Sequence, residues 1–149
     1  MAVEKARRED IPVICDFQVA MALETENIQL ATGTVRRGVE AVFDHPERGT
    51  YWVYRDQNRT VASLLITPEW SDWRNKNFLW IQSVYVHPQF RGQGIFRKLY
   101  NHIKEMVMAD PDIAGLRLYV DQENTPALST YKKVGMTQSH YLFFEWTKQ

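Results

Sequence analysis

The stretch Val84-Tyr85-Val86-His87-Pro88-Gln89-Phe90-Arg91-Gly92-Gln93-Gly94-Ile95-Phe96 decides how the rest of the chain is read. An apolar strand ends, Pro88 breaks it, and two glycines lead into a helical pattern. Glycine lets backbone N–H groups approach a ligand closely. A helix N-terminus adds N–H donors and the positive end of a dipole, which suits a phosphate or pyrophosphate. Arg91 supplies a fixed positive charge, and Arg97 and Lys98 can add more. A lone G-x-G would read as a tight strand-to-helix turn without a ligand. Arginine, two glycines, a buried strand before and a helix after together favour an anion site.

Working outward, the chain alternates between two periods. Upstream, Thr50 to Arg55 and Thr60 to Thr67 are rich in β-branched and aromatic residues, separated by the polar turn Asp56-Gln57-Asn58-Arg59. They read as a hairpin. Phe78 to Val86, apolar on both alternating faces, reads as a central buried strand. Before them, Val3 to Arg7 reads as a first strand. Asp10 and Pro12 read as a helix start, with Asp10 as cap and Ile14, Phe17, Met21 and Ile28 at helical spacing. Thr34 to Phe43 gives a second helix with Thr34 as N-cap. Downstream, Gly92 to Ala109 is a helix of ~27 Å with Ile95, Leu99, Ile103 and Met106 as its stripe. Leu116 to Val120 reads as a strand, Thr125 to Val134 as a helix and the aromatic Gln138 to Trp146 as a closing strand. The expected order is β-α-α-β-β-β-α-β-α-β, antiparallel strands first and then a βαβ unit.

Composition narrows the function. The 149 residues fit one domain, 1–149, with one core. No internal repeat or linker-like segment interrupts it. Lys plus Arg balances Asp plus Glu at 18 each, so no global field draws nucleic acid or an anionic membrane. No apolar run approaches the roughly 18 residues that span a bilayer, and the start carries no apolar signal core. The single Cys15 excludes an intrachain disulfide framework. The cytoplasm is the expected compartment. His45, His87, His102 and His140 have no ligand spacing, so no metal site is expected.

The loop V-x-P-x-x-R-G-x-G resembles the acetyl-CoA signature of the GNAT superfamily of N-acetyltransferases, [QR]-x-x-G-x-[GA]. Arg91 and Gly94 match its first and fourth positions, while Phe96 departs from the small residue usual at the sixth. A second stretch, L-R-L-Y-V-D-Q-E-N-T-P-A-L-S-T-Y-K-K-V-G-M from Leu116 to Met136, resembles the family's N-x-x-A-x-x-x-Y-x-x-x-G-[FM] pattern at Asn124, Ala127, Tyr131, Gly135 and Met136. Ala127 and Tyr131 share a helix face, Asn124 suits the N-cap, and Gly135 fits a left-handed stop. The resemblance implies an α/β (α+β) fold with a mixed sheet, whose two parallel strands, Phe78–Val86 and Leu116–Val120, splay to form the acetyl-CoA slot. It implies that Arg91, Gly92 and the backbone of Gln93, Gly94, Ile95 and Phe96 hold the pyrophosphate. The backbone of Val84 and Val86 would pair with the pantetheine arm. Asn124 would turn an amide toward the cofactor, and Tyr131, near the sulfur, would protonate the departing thiolate as general acid.

The acceptor amine must lose a proton before it attacks the thioester. Many members of the family carry a glutamate on the central strand for this; here that position is Gln82, whose amide cannot accept the proton. The candidates that remain are Glu24 and Glu26 at the end of the first helix, as base or as ammonium ligands. Glu69 and Asp72, with Trp70, Trp73 and Tyr85, form an acidic aromatic set able to hold a cation. The plainer alternative is that these carboxylates are solvated and the tryptophans cover the core or a partner subunit. The stretches E-T-E and E-W-S-D-W-R resemble those of a bacterial subgroup of the family. The resulting expectation is an enzyme that joins acetyl-CoA and a primary amine in a ternary complex, with a small amine, an amino-sugar antibiotic, a peptide N-terminus or a lysine as acceptor, the acidic aromatic surroundings favouring a small cationic amine. The alternative is a non-catalytic acyl-CoA-binding module. The aromatic C-terminal segment is expected to complete the core or to pair across a homodimer.

Overall fold

The computed structural model describes residues 2–149. It divides into two compact units, the residues up to Leu118 and Tyr119–Gln149. The first contains β1 (Ala2–Lys5), α1 (Ile11–Glu26), α2 (Thr32–Asp44), β2 (Thr50–Asp56), β3 (Arg59–Ser71), β4 (Lys76–Val86), α3 (Ile95–Ala109) and β5 (Ile113–Arg117); the second contains α4 (Thr125–Lys133). The five strands lie side by side in chain order, antiparallel except for the parallel pair β4–β5. This is the mixed α/β sheet expected from the sequence.

The hairpin β2–β3 turns at Gln57-Asn58, both at positive φ (48° and 67°), and Asp56 faces Arg59 across it. Two residues at positive φ match the right-handed twist of the flanking strands. Alternation along β2 then serves two layers. Tyr51 and Val53 pack with Ile11, Ile14 and Val39 from α1 and α2. Trp52 meets His102 of α3 at a ring distance of 4.9 Å, and Tyr54 lies under the Lys98 ammonium of α3. Val53, Val61, Leu64, Leu99 and Ile103 are fully buried, each contributing about 1.5–3 kcal/mol by leaving water.

Several boundaries differ from the sequence reading, each for a local reason. Asp10 does not cap α1 with its side chain. Its carboxylate is buried and takes both terminal nitrogens of Arg55 at 2.8 Å, the Thr60 hydroxyl at 2.8 Å and the Arg7 amide at 2.7 Å. Arg55 also reaches Glu4 at 2.9 Å, so one ion cluster ties β1, β2, β3 and the start of α1. Helix α2 starts at Thr32, two residues before the expected cap Thr34. Ile28 falls beyond the end of α1 and is exposed. Helix α3 starts at Ile95, because Gly92 and Gly94 stay in the left-handed region. Strand β5 lies earlier than expected, at Ile113–Arg117, and residues 118–120 carry no ladder. Residues 138–149, expected to hold the closing strand Gln138–Trp146, carry no strand within their own unit. No described helix is long and apolar enough to cross a membrane.

Candidate active site

The site is built around a defect in β4. Between the pairs Ser63↔Tyr85 and Leu65↔Gln82, β4 contains one residue more than β3. Ser83 within this bulge sits at φ 52°, a left-handed conformation that costs a non-glycine residue about 1–3 kcal/mol. A bulge bends and twists the strand that carries it. On the other edge, β4 pairs with β5 only from Asn77 to Trp80. Among the described residues of this unit, 81 to 86 therefore ladder with β3 only, which leaves the other edge of β4 without a ladder next to the loop after Val86. The bulge had no signature in the sequence, since Ser83 is not a residue type that announces left-handed backbone.

That loop has the geometry expected of an anion cradle. Gly92 and Gly94 have φ of 76° and 74°, and a side-chain Cβ at either would meet nothing within 4 Å. The glycines are therefore required by backbone conformation, and the space they line is open. Gly94 caps α3 without a side-chain hydrogen bond, and the first helical bond runs from the Lys98 amide to the Gly94 carbonyl at 3.1 Å. Amides earlier in a first turn lie outside the helical ladder and are the ones an anion can use. Ile95 is buried and anchors this turn to the core, while Gln93 and Arg97 are exposed. Phe96 is half-buried with its ring 6.1 Å from that of Tyr100. Its bulk is thus partly absorbed by packing along α3.

Arg91 points elsewhere. Its Nε donates to the Val86 carbonyl at 2.9 Å, its terminal nitrogen donates to Glu24 at 2.8 Å, and its guanidinium lies 5.3 Å over the Tyr85 ring. The Tyr85 hydroxyl donates to the other oxygen of Glu24 at 3.0 Å. The arginine assigned to the cofactor and a glutamate assigned to the acceptor are thus bound to each other, across 67 residues of chain. Arg91 holds the Glu24 carboxyl below its ordinary range, against the opposing effect of burial and with help from Tyr85. Burial, then the Glu24 contact, pushes the Tyr85 phenol up. The Val86 carbonyl, expected to pair with pantetheine, already accepts from Arg91.

The other acceptor candidates are dispersed. Glu26 is exposed at the end of α1; two positions from Glu24, it faces a different side of the helix. The Gln82 amide donates to the Thr67 hydroxyl across β3–β4 at 2.5 Å, a partner the sequence did not suggest. Trp70 pairs with Asn77, five residues along β4 from Gln82, or about 17 Å. It does not join Tyr85 and Glu24. Glu69 is bound to Arg117 of β5 at 2.6 Å, and Arg117 stacks 3.5 Å over Phe78. Both therefore belong to the far end of the sheet.

In the second unit, Asn124 caps α4 as expected, its side chain accepting from the Ala127 amide at 3.2 Å. The helix stops with Gly135 at φ 96°, its amide on Lys132 and the Met136 amide on Tyr131, the paired bonds of a Schellman stop. Tyr131 is half-buried on α4, and burial pushes its phenol above the ordinary value of 10. Among the described residues no cluster of His, Cys, Asp or Glu could hold a metal ion.

The site is thus a sheet strand bent by a bulge, beside a glycine loop at a helix N-terminus. The sequence pattern of the acetyltransferase (GNAT) family matches residues 18–136, and the chain belongs to that family. A possible acetyltransferase from Clostridium difficile 630 is 40% identical, with TM-score 0.94 over 99% of this chain and 97% of that one. A bovine (Bos taurus) thialysine N-epsilon-acetyltransferase is 35% identical over 44% of this chain. The peptidyl-lysine N-acetyltransferase YjaB of Salmonella typhimurium is 31% identical over 64%. Those matches span 38% and 56% of the two relatives' own lengths.

Proposed function

We propose that the chain transfers the acetyl group of acetyl-CoA to a primary alkylamine by direct attack in a ternary complex, as one domain over residues 1–149. The observation that carries this reading is the open, left-handed Gly92–Gly94 loop at the start of α3, next to the edge of β4 that carries no ladder within this unit. Backbone amides of Gln93 to Phe96 hold the pyrophosphate, and the edge from Val84 to Val86 receives the pantetheine arm. The amine nitrogen bonds to the acetyl carbon, the carbon–sulfur bond breaks, and the thiolate takes a proton. Tyr131 supplies that proton; its motif position supports the role, and its raised pKa keeps the phenol protonated at neutral pH.

Glu24 suits a different task from the one its position first suggests. A carboxylate held below its ordinary range is a weak base, but it is a good ligand for an ammonium group. An incoming pyrophosphate competes with Glu24 for Arg91, so cofactor binding releases the carboxylate toward the acceptor. Proton removal then passes to solvent. The names of the two curated relatives, a thialysine and a peptidyl-lysine acetyltransferase, support an amine on an alkyl chain. A second reading, an acyl-CoA-binding module without turnover, is favoured by Gln82, whose amide is tied to Thr67 and cannot act as base.

Calorimetric titration with acetyl-CoA, alongside Arg91→Glu, tests the cradle. Saturable binding by the wild type, much weakened in the variant, is expected. Absence of binding at millimolar cofactor by folded protein would sink the reading. Thiol release with a panel of alkylamines then separates enzyme from module. Tyr131→Phe should lower kcat by about 10²–10⁴ and leave acetyl-CoA affinity unchanged. Equal turnover would remove Tyr131 from the acid role.

A further inference from the structure

The turn between β2 and β3 lies beside the segment that follows β4, because Ala62 ladders with Val86 and the His87 amide donates to the Val61 carbonyl at 2.8 Å. A cleft of about 380 Å³ opens between these two segments and the start of α1, a size that suits a small molecule. Val13 and Phe17 line it from α1, Arg59 and Thr60 from β3, and His87 from the segment after β4. None of these residues belongs to the glycine loop or to the Arg91–Glu24 pair. The Phe17 ring lies 5.0 Å from that of Tyr85, so one aromatic contact separates the cleft from that pair.

The buried polar groups of the cleft are occupied with one another. The Asp10 carboxylate accepts from both terminal nitrogens of Arg55, from the Thr60 hydroxyl and from the Arg7 amide. Arg59 and His87 differ. His87 Nδ1 accepts from the Gln89 amide at 3.2 Å, which places the ring proton on Nε2. A terminal nitrogen of Arg59 lies 3.3 Å from that same Nε2. A guanidinium only donates, so two N–H groups meet without an acceptor. The other tautomer moves the conflict without removing it: Nε2 would accept from Arg59, and the Gln89 amide, fixed in the backbone, would face an N–H. Arg59 forms no ion pair among the described residues. Phe90 positions both donors, with the guanidinium 5.5 Å over its ring and the imidazole edge-on at 5.9 Å.

We propose that Arg59 and His87 form a binding site for a small carboxylate. The carboxylate accepts from the Arg59 terminal nitrogen and from His87 Nε2–H, and so turns two opposed donors into a bridged pair. Hydrogen bonds to a charged acceptor are the strong ones. The charges around the cleft select the class of anion. Asp10 is matched by Arg55, and the exposed Glu9, which also lines the cleft, lies 3.3 Å from Arg7. Arg59 is the positive charge that remains for a ligand. It neutralises a monoanion, whereas a phosphate dianion would keep a net charge beside two carboxylates. Val13 and Phe17 offer apolar surface to the ligand's carbon chain. The site is separate from acetyl transfer and stands or falls without it.

The test is a nuclear magnetic resonance titration of the full chain with sodium acetate, at constant ionic strength with chloride as the balancing anion. The His87 ring and Arg59 Nε signals are followed. Saturable shifts at both are expected, with a dissociation constant on the order of 1–10 mM for so small a ligand. Two variants, Arg59→Gln and His87→Phe, should keep native circular dichroism and a cooperative melt; the second retains an aromatic ring against Phe90. Each should weaken acetate binding about tenfold or more, and Arg59→Gln should leave acetyl-CoA affinity unchanged. Shifts that grow without saturation overturn the proposal. So does undiminished acetate binding by His87→Phe, which would reduce the effect to general attraction by an exposed arginine. Tighter binding of inorganic phosphate than of acetate at the same signals overturns the carboxylate assignment. Weakened acetyl-CoA binding by Arg59→Gln would also overturn it, because the two donors would then belong to the cofactor.

Discussion

The centre of the sheet and the C-terminal arm are made from the same kinds of residue and have opposite fates. Strand β3 carries Val61, Ala62 and Leu64 fully buried between two helical layers. The arm carries Leu142, Phe143, Phe144 and Trp146 largely in solvent. Composition does not separate them; both read as apolar strands. What separates them is hydrogen-bonded company. Strand β3 has β2 on one side and β4 on the other, whereas the arm has no strand beside it within its own unit. Burial follows pairing, because a backbone enters an apolar core only after its polar groups are satisfied.

The comparison is broken most severely at the ion cluster that pins the well-packed side. Asp10→Ala leaves Arg55 buried without its main partner, and removal of one member of a buried pair costs about 3–5 kcal/mol. Urea unfolding should show that loss. The same carboxyl makes the fold acid-sensitive. Burial alone would raise its pKa, but the contacts from Arg55, the Arg7 amide and Thr60 outweigh it, so the pKa in the folded chain lies below the ordinary 3.8. A depressed carboxyl contributes its full stability above the unfolded pKa and loses it as pH falls through the folded one. The stability of the wild type should therefore drop below pH about 4, and Asp10→Asn should flatten that part of the profile. An equally steep profile in the variant would assign the acid sensitivity to other groups.

A gentler perturbation is matched truncation in the two regions. Leu64→Ala should cost about 2–5 kcal/mol in unfolding free energy. Phe144→Ala should stay within about 0.5 kcal/mol. Comparable losses would mean that the arm is packed within its own chain and would erase the contrast between the regions.

Legibility in the sequence followed the same division. Features settled by a few neighbouring residues were readable: the Gln57-Asn58 turn, the glycine loop before α3, the Asn124 cap and the Gly135 stop. Features settled by distant partners were not. Asp10 has the residue type of a helix cap, but Arg55, 45 positions away, takes its carboxylate. The bulge at Ser83 arises from register between two strands and leaves no mark on either alone. The arm has the correct pattern for a strand, yet pattern does not supply the second strand. In the site, Arg91 and Glu24 were each readable as functional, Arg91 by its place before the glycines and Glu24 by the helix end. Their mutual contact, which changes what each can do, was not.

The smallest effect concerns that contact. The Arg91–Glu24 pair is about half exposed on both sides, and exposed pairs contribute about 0.2–1 kcal/mol. Glu24→Gln removes the carboxylate that competes with phosphate for Arg91, so acetyl-CoA should bind up to about fivefold more tightly. The acceptor KM should rise in the same variant, because the ammonium loses its ligand. Lowering the pH through the depressed pKa of Glu24 should bring wild-type cofactor affinity toward that of the variant, since protonation also frees Arg91. The opposite result, weaker acetyl-CoA binding by Glu24→Gln, would show that Glu24 orients Arg91 for the cofactor. In that case the two binding steps would be coupled through a shared scaffold, and competition for one guanidinium would be excluded.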